Sequence, residues 1–405
     1  MNPITPIQQS QRIISLDILR GFAIMGILIM NMISFSMMGA NYNNPMAQGM
    51  LEGADKWAFI FSELFANQKF ISLFSMLFGA GIILMTSRVE AKGGKPASRH
   101  YVRNFWLLLF GLFHAYVIWY GDILVAYALC SVWVFLFRKK TPKALFIWGG
   151  IFMSVSLLVN LFFGLSLPFW PAESVAENCS FWQPSEQGIQ KEIMAYQGGW
   201  WEQFPFRANL AFMLETFVFL TGLGWQVTGL MLIGMGMYKA KVFTAERSVA
   251  FYKKMLFIGM GLGLSIGILG LIQNYAHDWQ CEYSFFLGSQ FHYVGSLPMA
   301  LGYIAAVMLL CKSVWVQKLE KWIAPVGRMA LTNYLMQSII ATFIFYGHGL
   351  GLFGTVGRAA QWSFILGIWV LQILYSRWWL ERFKFGPFEW LWRSLTYGKV
   401  QGFRK

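Results

Sequence analysis

Residues 18–38 read ILRGFAIMGILIMNMISFSMM, an apolar run in which Arg20 is the one charge. As a helix it rises about 30 Å, the thickness of a bilayer's hydrocarbon core, so it reads as a membrane span. The segment before it carries only Arg12 as a base and no small-residue cleavage site follows, so the run is expected to remain as the first span. The rest of the chain continues in the same key. Of 405 residues 57% are hydrophobic and 12% charged, too few polar side chains to cover a water-facing surface. We therefore expect an all-α integral membrane protein, a single polytopic membrane domain over 1–405 with about ten transmembrane helices. The spans fall near 18–38, 70–86, 104–120, 122–137, 144–167, 220–238, 255–275, 291–311, 329–347 and 359–376.

The net charge of +14 is distributed by side. With the N-terminus inside, all of the 32 bases except Lys56, Lys69, Lys191, Arg207 and Arg358 fall in inner segments, while the outer loop 168–207 collects glutamates. This is the positive-inside pattern, and it predicts N-in, C-in topology with a cytoplasmic basic-aromatic tail over 377–405. Bases broken into short clusters between apolar runs argue against nucleic acid as a partner. Residues 58–69 and 208–219 are apolar but end in or enclose polar residues, and are expected to be interfacial or re-entrant helices on the outer side.

Four cysteines divide by compartment. Cys130 and Cys311 fall inside spans, whereas Cys179 and Cys281 both fall in outer loops and are expected to pair as a disulfide in an oxidising periplasm. The histidines are scattered and form no metal-binding cluster, so no metal is expected.

Polar residues at membrane depth are the functional candidates. Arg20 and Asn31 stand eleven residues apart on the first span, one helix face separated by about 16 Å. Arg103 and His114 repeat that spacing on the third. Asp122 follows His114 in a Gly121-Asp122 turn; eight residues along a helix is about 12 Å, within reach of the imidazole only if the helix ends early. His292, Asn333 and Gln337 are candidates for lining the same interior, though helix-to-helix bonding is the better single explanation for each; Arg328 is a candidate for binding phosphate at the inner rim, or only obeys the inside rule.

Six stretches carry a family resemblance: SLDILRGFAIMGILIMN, KFISLFSMLFGAGIILMTSR, GLFHAYVIWYGDILVAYAL, GLMLIGMGMY, GRMALTNYLMQS and RFKFGPFEWLWRSLTYGK. Through nearly the whole chain the sequence resembles the bacterial YeiB family of inner-membrane proteins. That family looks like a branch of the transmembrane acyltransferases that include heparan-α-glucosaminide N-acetyltransferase. The resemblance implies acyl-CoA or acetyl-CoA as co-substrate at the cytoplasmic face and an envelope glycan, lipid or small metabolite as acceptor. In the polysaccharide acetyltransferases an Arg on the first span is followed eleven residues later by a catalytic His; here Arg20 matches the Arg and Asn31 replaces the His. In the heparan enzyme the catalytic His lies in the loop after that span, and here residues 38–57 contain none.

Two functions from different classes follow. In an acyltransferase, Arg20 and Arg103 hold coenzyme A phosphates, Asn31 donates to the thioester oxygen and His114 is the base, aided by Asp122. The alternative is a transporter or flippase for a lipidic or acyl-like anion, without transferase chemistry. Expected partners are the lipid bilayer, a small-molecule or glycan acceptor, and a second copy of the chain in a homo-oligomer.

Overall fold

The computed structural model describes residues 13–405, in which every regular element is helical. Arg12, assigned to the inner side by charge, lies outside the described residues. The helices are α1 Ile14–Ser36, α2 Gly53–Phe65, α3 Lys69–Ala91, α4 Pro96–Phe113, α5 Leu124–Val134, α6 Pro142–Ser166, α7 Ala172–Trp182 and α8 Glu186–Gln197. They continue with α9 Trp200–Lys239, α10 Val249–Ala276, α11 Ser289–Cys311, α12 Ala330–Phe345, α13 Arg358–Arg382 and α14 Pro387–Tyr397, with a short helix Ala324–Arg328 leading into α12.

Among the described residues eight helices are long and apolar enough to cross a membrane. The expected spans near 122–137 and 329–347 are helical but short: α5 has 11 residues and α12 has 16. Both are packed inside the bundle, where neighbouring helices replace lipid. The most buried span is α1, with 72% of its apolar window covered, against 17% for the peripheral α6. A helix apolar on all sides can serve as the axis of a bundle, and α1 does so.

Its crossing with the short helix before α12 places two candidate side chains. Gly21 of α1 crosses Gly327, and a Cβ on Gly327 would collide with the carbonyl oxygen of Asp17. Only hydrogen side chains allow this approach, which sets Arg20 and Arg328 beside one another at one end of the bundle.

The two segments read as interfacial behave differently. The chain breaks after α2, where Ala66–Gln68 turns and Gln68 takes a left-handed φ of 61°. Residues 208–219 instead lie within the continuous 40-residue α9, which loosens into a π-helical stretch over Leu214–Leu223. Glu215 suggested an interface, but Tyr116 Oη donates to its carboxylate at 3.0 Å, so the charge sits within the helix. Cys179 of α7 and Cys281 are joined by a disulfide with Cα atoms 5.6 Å apart, sewing the 168–207 region to the segment that leads into α11.

Candidate active site

At the end of the bundle where Arg20 and Arg328 meet, a cavity of about 660 Å³ opens between α1, α3, α4, α12 and α14. Its lining is basic: Arg20, Arg88, Arg99, Arg103, Arg328 and Arg393, together with Lys92, line it against the two carboxylates of Asp17 and Glu389. Such an excess of guanidinium groups suits a multiply charged anion, because each fork binds phosphate in two-pronged fashion. Deeper in, the wall turns apolar, with Ile24 and Ile27 of α1, Phe74 and Phe78 of α3, and Leu107 of α4.

One wall comes from a segment read as a tail. α14 is amphipathic and docks through Glu389, which accepts from the Leu331 and Thr332 amides at 2.7 and 3.0 Å and from Thr332 Oγ1 at 2.6 Å. The carboxylate thereby caps the otherwise unpaired amides that open α12. Trp392 Nε1 donates to the Arg103 carbonyl at 2.8 Å, and the Arg103 guanidinium lies 4.1 Å over the Trp392 ring. Arg99 lies 4.4 Å over Tyr397. Of the segment read as a tail, 377–382 form the last turns of α13 and α14 contributes a cavity wall.

Three helices carry stripes that begin in this cavity and continue past it. On α1 the stripe is Arg20, Ile24 and Ile27, and the next position is Asn31. On α4 it is Arg103 and Leu107, continuing through Gly111 to His114. On α12 it is Leu331 and Tyr334, with Ser338 one turn further. Neither Asn31 nor His114 lines the cavity; both lie deeper. Tyr334 lines the cavity with its ring 5.0 Å from the His114 imidazole, and Ile123 and Leu124 line it beside that ring.

His114 is fully buried and both its nitrogens are engaged: Nδ1 with Asp122 Oδ2 at 2.7 Å and Nε2 with Ser338 Oγ at 2.8 Å. The helical distance of about 12 Å is abolished because α4 ends early. Residues His114–Ile118 open into a π-turn, Trp119 N donates back to the His114 carbonyl at 2.8 Å, and the chain reverses. Asp122 is then fixed by the Val125 amide, which donates to its other oxygen at 2.7 Å. Gly111 makes room for this turn, since a Cβ there would stand 2.7 Å from Val125 N.

The remaining expected pocket residues lie elsewhere, and the reason is bonding between helices. Asn333 donates to Val326 O and Ser376 Oγ, and Gln337 donates to Ile24 O and Gln372 Oε1, tying α12 to α1 and α13. His292 is buried against Glu63, Nε2 to Oε1 at 2.9 Å, away from the basic cavity. Reading the sequence did not single out Ser338, Arg88, Arg99, Arg393 or the α14 wall. For α14 the signal was present, in the amphipathic period of residues 387–397. Arg207, one of the five bases outside the inner segments, is fully buried, and its Nη1 donates to the Val117 and Ile118 carbonyls at 3.0 and 2.9 Å. Among the described residues no group of three His, Cys, Asp or Glu side chains is arranged to hold a metal.

Fold and site together define a multi-pass helical membrane protein with a basic cavity at one end and a buried Asp-His-Ser cluster beyond it. Residues 237–399 match the family described as protein of unknown function (DUF418). The chain is 32% identical over 394 residues to the uncharacterized protein YeiB of Escherichia coli, covering 95% of this chain and 96% of that protein. It is also 32% identical over 421 residues to the uncharacterized protein YxaH of Bacillus subtilis, covering 98% and 97%. An uncharacterized 39.9 kDa protein of Bacillus acidopullulyticus is 26% identical over 395 residues, covering 97% and 96%. The chain belongs to the YeiB family.

Proposed function

We propose that the protein is an acyl-CoA-dependent acyltransferase of the bacterial inner membrane, moving an acyl group to an envelope glycan, lipid or small metabolite. One observation carries this: a cavity lined by six arginines and by apolar side chains, with a histidine-carboxylate pair just past its end. Coenzyme A is polyanionic at its nucleotide end and slender at its thioester end, so Arg20, Arg103 and Arg328 take the phosphates while the acyl arm enters between α1, α4 and α12. By the positive-inside rule the basic end is cytoplasmic, where acyl-CoA is found. His114 takes the proton during attack on the thioester, and Asp122 holds the imidazole and stabilises its cation. Asn31, continuing the α1 stripe, offers an amide to the developing oxyanion.

The rival reading, a transporter for an acyl-like anion, makes the same cavity one half of a path. A histidine bonded to a carboxylate through one nitrogen and to a hydroxyl through the other, just past the cavity, favours transfer. The test is a thermal-shift titration of the purified protein with acetyl-CoA and coenzyme A. We expect a saturable rise, weakened about tenfold or more in Arg20→Gln and Arg103→Gln, as loss of one charge-assisted bond implies. No saturable response to acetyl-CoA would overturn the donor assignment.

A further inference from the structure

We propose that Ser338 is a nucleophile activated by His114 and oriented through Asp122, so that the acyl group passes through an acyl-serine before reaching the acceptor. An ionised carboxylate only accepts hydrogen bonds, so the contact of 2.7 Å to Asp122 places the imidazole proton on Nδ1. Nε2 is then left as an acceptor, and its partner at 2.8 Å is the hydroxyl of Ser338, which therefore donates. The hydroxyl proton already points at the group that would remove it. This is the arrangement of an activated serine: nucleophile to base, base to orienting carboxylate, each within hydrogen-bond reach.

The surroundings support the role. Ser338 and His114 are 1% and 0% exposed, so the three groups meet in a dry site where developing charge is strongly felt. Asp122 is held from its far side by the Val125 amide, which fixes the carboxylate against rotation. The loop that brings it there leaves α4 through a π-turn beginning at His114 itself, a local distortion that recurs at functional sites. Ser338 also lies one turn beyond Tyr334 on α12, which lines the basic cavity. A group travelling inward along α12 meets Ser338 next.

In the first half-reaction Ser338 Oγ bonds to the thioester carbonyl carbon while His114 Nε2 takes its proton. The C–S bond then breaks, and the thiolate of coenzyme A leaves with the proton from the imidazolium. In the second, an acceptor hydroxyl or amine attacks the acyl-serine and gives its proton to Nε2. The C–Oγ bond breaks and Ser338 recovers that proton.

The inference rests on the transferase reading for its acyl donor but not for the reactivity of the serine, and two probes separate them. Full-length protein in detergent is treated with a short alkyl fluorophosphonate, and in parallel with acetyl-CoA followed by acid quench; adducts are mapped by peptide mass spectrometry. We expect one fluorophosphonate adduct, on Ser338, lost in Ser338→Ala and formed at least about 100-fold more slowly in His114→Ala. We expect an acetyl group on the same residue after acetyl-CoA. Asp122→Asn, changing a positioning residue, is expected to slow labelling and move its pH profile. Fluorophosphonate labelling without acetylation upholds the nucleophile and overturns acetyl-CoA as donor. Acetyl transfer with no adduct on Ser338 overturns the acyl-serine and leaves the transferase standing. Absence of both adducts overturns the inference, and because these outcomes are read on the wild-type protein, they hold even where Ser338→Ala does not fold.

Discussion

Among the described residues there are two buried histidine-carboxylate pairs, and they differ in everything except their chemistry. His114 meets Asp122 at 2.7 Å and has a serine hydroxyl on its other nitrogen, one turn of α12 beyond a basic cavity. His292 meets Glu63 at 2.9 Å beside a break in the chain. There α2 ends and leaves carbonyls unpaired: Lys69 Nζ donates to the Glu63 carbonyl at 2.7 Å, Tyr303 Oη to that of Phe65 at 2.6 Å, and Asn67 Nδ2 to the Glu63 carboxylate at 2.8 Å. The second pair is therefore the lock of a helix end, built so that charges buried at the break neutralise one another. A polar pair at membrane depth is a functional candidate only by default; what lies on its free side decides.

Removing each histidine should separate the two roles. His114→Ala and His292→Ala both strand a buried carboxylate, and each should lose about 3–5 kcal/mol of stability. In acyl transfer per folded molecule they should part: His114→Ala falls by about 10²–10⁴, the contribution of a positioned base, while His292→Ala stays near wild type. Unfolding curves and turnover measured on the same preparations test this, and an equally deep loss of turnover in His292→Ala would erase the distinction. Lys69→Met probes the lock further. It removes a charge-assisted cap and should cost about 1–3 kcal/mol with turnover retained.

The disulfide acts on the His292 side alone. Cys281 opens the segment running into α11, and with Phe59, Trp182, Leu271 and Trp279 it forms a small apolar cluster over α2. Cys179→Ser should lower stability by about 2–4 kcal/mol, less than either stranded carboxylate, and leave acyl turnover unchanged. A drop in turnover matching the drop in stability would show that the two ends of the bundle are coupled.

The sequence revealed one of these pairs in outline and the other not at all. Spans were legible because a backbone in lipid must satisfy itself as helix, and the inner bases because charge bias accumulates over many residues. Arg20, Arg103 and Arg328 were legible for the same reason, and the cavity unites them. The bond between His114 and Asp122 depends on where α4 loosens into a π-turn, which eight residues of spacing cannot reveal. Ser338 had no signal: a serine in an apolar helix usually bonds the carbonyl four residues back. Glu63 and His292 are separated by most of the chain, and nothing local in either stretch points to the other. Residues 208–219 read as a separate segment because a glutamate interrupts the apolar run, and the bond that satisfies it comes from Tyr116 on another helix.

A carboxyl with no histidine beside it, the partly buried Glu192 of α8, gives the smallest effect and a control for both pairs. It is held by a backbone amide instead of an imidazole, accepting from Gly39 N at 2.9 Å just past the end of α1. Burial pushes its pKa above the ordinary value of 4.5, and the single amide only partly opposes this. The folded protein therefore holds this proton more tightly than the unfolded chain does. The stability gained is fully present below the unfolded pKa and is lost as pH rises through the folded one. Wild-type melting temperature, measured at constant ionic strength between about pH 4.5 and 7, should thus carry a downward component that Glu192→Gln lacks, because glutamine keeps the neutral shape at every pH. Coincident slopes for the two proteins would show that the amide outweighs burial. Glu192 would then be an ordinary ionised carboxylate, and a carboxyl could be kept charged in this bundle without a histidine beside it.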